Sequence, residues 1–125
     1  MIRKSLVIAL MMVCAGVVVA ATRVETTKLT GYIIDNACAA KHAKDDNVAD
    51  EIKGHPKSCA TAAGCAASGY ALYADGKLYK LDSSGNKKVA AILKNTKSDK
   101  GLEVNVEGTV SGDSIKVKSI SEASM

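Results

Sequence analysis

Phe and Trp are absent from this 125-residue chain, and its only aromatics are four Tyr. A core without large rings must be built from Leu, Ile and Val, so it is small. No Cys-x2-Cys pair occurs. That removes a thioredoxin-like redox motif, the usual zinc knuckle and, with no Cys-x2-Cys-His, covalent haem. A glycine-rich phosphate loop is also missing. The length allows one domain at most, which excludes Rossmann and barrel enzymes of ordinary size. A formal net charge of +4, or +2 without residues 1–21, is too weak to argue for nucleic acid.

What the chain does have begins at its start. Residues 1–21 hold 17 apolar side chains. Arg3 and Lys4 precede an almost unbroken apolar stretch, Leu6 to Val19, that ends in small residues. This is a secretory signal pattern, with cleavage expected after Ala20 or Ala21. The run is shorter than the roughly 18–20 residues of a membrane span, so no permanent anchor is expected after cleavage. Val13 precedes Cys14 where a lipoprotein signal wants a small residue. The expected location is periplasmic or secreted. Cleavage removes two positive charges and Cys14, leaving residues 22–125 with a net charge of +2 and three Cys: Cys38, Cys59 and Cys65. Outside the cytosol a disulfide is permitted, and an odd count leaves at least one thiol unpaired within a monomer.

Lys28 to Ile34 reads as a strand. Asp35-Asn36 offers an N-cap for a helix over Ala37 to Lys44. Asp45 to Gly54 reads as charged and mostly solvated, with Val48 and Ile52 at helical spacing. His55-Pro56 is a helix entry, and Lys57 to Ala67 is Ala-rich, with a bend or end expected near Gly64. The pattern then changes to period two. Tyr70–Ala74 and Lys77–Leu81 flank Asp75-Gly76, a strong hairpin signal. Asp82 to Asn86 reads as a turn cluster, and Val89 to Leu93 as one short amphipathic helix. Alternation at Leu102, Val104 and Val106, and again at Ile115 and Val117, gives two more strands around Ser111-Gly112-Asp113. Disorder is expected after Ile120.

This order predicts a mainly β fold: a five-stranded OB-like barrel. It carries a helical insertion, about residues 36–68, between strands 1 and 2. A short helix follows strand 3.

Several segments resemble a group of small exported bacterial proteins of unknown function. They are Gly31-Tyr32-Ile33-Ile34-Asp35 with Cys38 and His42, His55-Pro56 with Cys59 and Cys65, Gly69-Tyr70-Ala71-Leu72, the Asp75–Leu81 hairpin, Val106–Val110 and Gly112–Val117. The resemblance covers about 90 residues. It implies an exported β-domain with a Cys/His-bearing insertion and no established activity.

The chemistry-bearing residues all fall in the insertion: Cys38, His42, His55, Cys59 and Cys65, with Asp35 nearby. Cys38 and His42 are spaced i,i+4 and would share a helix face. Two Cys and two His suit zinc or copper, so all five are candidate metal ligands. The competing use is a disulfide. On a continuous helix Cys59 and Cys65 would be about 9 Å apart along the axis, beyond the roughly 7 Å Cα limit. Cys38 is therefore the expected partner of Cys59 or Cys65, unless the helix breaks at Gly64. A Cys38–Cys59 bridge would stabilise by roughly 3 kcal/mol. No third group or oxyanion hole accompanies a Cys/His pair, so no catalytic residues are assigned. Tyr70, Tyr73 and Tyr79 are potential stacking residues, with packing expected for at least two. The leading expectation is a disulfide-stabilised module that binds an envelope ligand or protein; the alternative is a metal-binding protein.

Overall fold

The computed structural model describes residues 25–123. The expected leader, residues 1–21, lies outside them. The described chain runs β1 (Thr27–Asp35), α1 (Asn36–His42), α2 (Val48–Lys53), α3 (Lys57–Ala60), α4 (Ala63–Ala67), β2 (Tyr70–Ala74), β3 (Lys77–Leu81), α5 (Ser83–Asn95), β4 (Glu103–Ser111) and β5 (Ser114–Glu122). The strands close into a barrel in the order β1-β2-β3-β5-β4, with β4 returning to β1. Every neighbouring pair is antiparallel except β3 and β5, which meet in parallel through Lys80–Ser114 and Leu81–Ile115.

The β2–β3 hairpin turns at Asp75 (φ 51°) and Gly76 (φ 75°). Two left-handed residues suit the twist of the strands they join. At Gly31 a side chain would collide with the Tyr73 carbonyl, so this glycine lets β1 and β2 close together. The end of β1 is buried on both faces. Ile33 points into the barrel core with Leu72, Val104, Val106 and Ile115. Ile34 faces outward into a second cluster with Ala39, Ile52 and Ala71, beneath α1 and α2. Burial on both faces explains why this strand ends as an apolar run rather than an alternation.

Several local expectations are corrected. The polar run at Asp82–Asn86 is not a turn, because Asp82 caps a 13-residue helix. Its Oδ1 accepts from the backbone N–H of Gly85 at 3.0 Å and of Val117 at 3.2 Å. Val89 and Leu93, one turn apart, then bury against the barrel core. The Ala-rich helix breaks at Thr61-Ala62, just before Gly64. The Thr61 hydroxyl bonds back to the Lys57 carbonyl at 2.9 Å, and Ala62 leaves the helical region with ψ 139°. Within Asp45–Gly54, Val48–Lys53 is helical, and Ile52 is completely buried. Beyond Ile120 the chain stays in β5 through Glu122, whose carboxylate accepts from the Thr96 hydroxyl at 2.6 Å.

Candidate functional site

Asp35 ends β1 and caps α1. Its Oδ2 accepts the Cys38 backbone N–H at 2.9 Å, as the sequence predicts for an N-cap. Cys38 therefore sits in the first turn of α1, directly beside the carboxylate. The other oxygen, Oδ1, lies 2.8 Å from His55 Nε2. A carboxylate can only accept, so Nε2 carries the proton and donates. Both partners are buried: Asp35 is 0% exposed and His55 7%.

Backbone contacts hold His55 in place. Its N–H donates to the Ile52 carbonyl at 3.1 Å, and its own carbonyl accepts from Gly101 N–H at 3.1 Å. The next residues join the 96–101 segment: Lys57 N–H donates to Asp99 O at 2.7 Å, and Lys57 Nζ to Thr96 O at 3.0 Å.

Cys65 arrives from α4. Ser68, just after that helix, donates through its hydroxyl to the Cys65 carbonyl at 2.6 Å and accepts the Ala37 N–H at 3.1 Å. Asn36 donates to the Ser68 and Gly69 carbonyls at 2.8 and 2.9 Å. These bonds brace the end of α4 against the start of α1. The result is a compact group in which one ligand atom each from Asp35, Cys38 and Cys65 lies within 4.8 Å of the others. Both cysteines are partly exposed.

Burial would raise the Asp35 pKa, but the bonds from the Cys38 N–H and His55 outweigh it and hold the carboxyl below its ordinary range. Cys38 moves the opposite way. Burial and then the Asp35 charge push its thiol up to about 11. A thiol so placed is a weak nucleophile at neutral pH, because the thiolate is the reactive form. A bound cation would reverse this, since coordination removes the thiol proton outright. The cavity lined by His55, Lys57 and Leu93 has a volume of about 10 Å³, room for about one water and no substrate.

Of the five residues the sequence nominates, Cys38 and Cys65 come together. His55 stands behind them through Asp35. His42 lies apart, with Nδ1 2.8 Å from Asp45 Oδ2. Cys59 is exposed on α3 and outside the three-residue group. Asp35 is the donor the sequence treats only as a neighbour. Its capping position was readable, whereas its bond to His55, twenty residues away, leaves no local signal. Tyr70 is core, and its hydroxyl donates to the Ala60 carbonyl at 2.9 Å. Tyr73 and Tyr79 pack at the margins of the two apolar clusters.

The chain matches no family model, no curated protein and no solved structure.

Proposed function

We propose that this is an exported OB-like barrel domain whose helical insertion binds a thiophilic metal ion, zinc or copper, through Asp35, Cys38 and Cys65. The observation that carries this reading is the mutual approach of those three donor atoms to within 4.8 Å. Two thiolates and a carboxylate suit such an ion. The His55 and Cys38 N–H bonds to Asp35 are the kind of outer contacts that orient a ligating carboxylate. The strand order β1-β2-β3-β5-β4 with helices after β1 and β3 supports the OB-like assignment. The test is elemental analysis and intact mass of the full chain, purified from its native compartment without chelator. One equivalent of zinc or copper is expected, lost in Cys38→Ser and Cys65→Ser and kept in Cys59→Ser. Failure of the wild-type chain to take up metal, even after reduction and reloading, would refute the reading.

A second reading rests on two other observations. Cys38 and Cys65 stand near each other as free thiols, and a further approach that joined them would close a loop of about 28 residues and stabilise by about 3.5 kcal/mol. A groove of about 260 Å³ runs between Asn36, Ala39 and Ala43 of the insertion and Leu78 and Lys80 of β3. OB-like barrels bind ligands on this side, along β2–β3 and the flanking loops. On this reading the protein is a disulfide-stabilised module presenting that groove to an envelope ligand or protein. A mass two hydrogens short, with no metal, is its expected signature.

A further inference from the structure

Among the described residues, a bound ion at Asp35, Cys38 and Cys65 would meet three side-chain donors. A tetrahedral zinc-class ion wants four. Of the other nominated side chains, His55 Nε2 is on Asp35, and His42 and Cys59 lie outside the group. The insertion is also braced by hydrogen bonds from Asn36, Ala37 and Ser68. Cys38 and Cys65 are both partly exposed, which leaves a route from solvent to the ion. Closed four-ligand sites are structural, whereas sites with three protein ligands keep a position for an incoming molecule.

We infer that this is an open metal site whose fourth position takes an exogenous neutral nitrogen donor of the imidazole class. The inference rests on the metal-binding reading and deepens it. Charge favours a neutral donor over an anionic one. Two thiolates and one carboxylate bring three negative charges against the two of a divalent ion. A fourth anionic ligand would add a further like charge beside the buried Asp35, whereas an imidazole nitrogen adds none. Imidazole is also a good match for zinc-class ions. The donor can come from free histidine or from a histidine side chain on a partner.

The test uses the reduced full chain loaded with one equivalent of Co(II), whose absorption reports ligand number and sulfur ligation. Sulfur-to-cobalt charge transfer is expected, and it should disappear in Cys38→Ser and Cys65→Ser. Imidazole should shift the visible bands saturably, with azide at equal concentration much less effective. His55→Gln should weaken Co(II) binding by about ten- to a hundredfold while keeping the charge-transfer band, as expected for a residue that orients a ligand. Titration with free histidine and with a short peptide bearing one internal histidine separates the two sources of donor. Bands that do not respond to imidazole, or that respond more to azide, would overturn the inference. So would loss of a ligand's signature in Cys59→Ser or His42→Ala, because the fourth position would then be filled from within. Failure of the wild-type chain to bind either Co(II) or zinc would instead remove the metal-binding reading itself.

Discussion

Cys38 in the reduced, metal-free chain should react slowly with alkylating agents, and by a calculable amount. Burial and the adjacent Asp35 charge lift its pKa from an ordinary 9.0 to about 11. Below pH 9 a two-unit rise cuts the thiolate fraction about a hundredfold. A more basic thiolate is intrinsically more nucleophilic, which restores about tenfold. The net expectation at pH 8 is alkylation about tenfold slower than that of a small unhindered thiol. The assay is timed iodoacetamide labelling with peptide mass spectrometry, repeated across pH 7 to 11.5. The Cys38 rate should climb by about tenfold per pH unit until it levels near pH 11. In Asp35→Asn the levelling should fall to lower pH, because the neighbouring charge is gone. A profile that levels near pH 9 in the wild-type chain would refute the reasoning, since neither burial nor Asp35 would then be acting on the thiol.

Three further outcomes are expected. Asp82→Ala removes a helix cap and the partner of the Val117 N–H together, and should cost about 2 kcal/mol in urea unfolding. Ile52→Ala empties a fully buried position under α1 and α2 and should cost about 2–5 kcal/mol, measured in the same way. The depressed Asp35 pKa contributes stability that is complete above the free-carboxyl value of 3.8 and disappears as pH falls through the lower folded value. Thermal melts should therefore show an acid-side loss below about pH 4 that is smaller in Asp35→Asn.

The parts of the fold written in local chemistry were legible. Asp75-Gly76 specifies its hairpin, the alternation from Leu102 onward specifies β4, and Asp35 announces the start of α1. The sequence pattern shortens α5, because Ser83, Ser84 and Gly85 look like a turn. Its start depends on Asp82 and on Gly85 lying against Val117, 2.6 Å from where a Cβ would stand, and that contact is made only once the barrel has formed. The site was half legible for the same reason. Cysteine and histidine cluster in the insertion, and the i,i+4 spacing pairs Cys38 with His42. The folded chain instead gives His42 to Asp45 and brings Cys65 to Cys38 through the Ser68 and Asn36 bonds. Sequence spacing measures distance along one helix. It carries no information about how two helices dock.

The parallel contact between β3 and β5 is only two residue pairs long, against eight for the antiparallel β4–β5 pairing. It is the seam of the ring. The Lys80 and Asp82 amides, which donate to the Asp113 and Ile115 carbonyls at 2.7 and 3.1 Å, hold that seam shut together with the Asp82 side chain. Local opening starts where the fewest bonds must break, so these amides should exchange with deuterium ahead of those in the middle of β4. Opening there would turn a closed ring into a curled sheet with two free edges, and free edges are what neighbouring chains add strands to. Weakening Asp82 should therefore favour oligomers, read by size-exclusion chromatography of Asp82→Ala, before it unfolds the insertion.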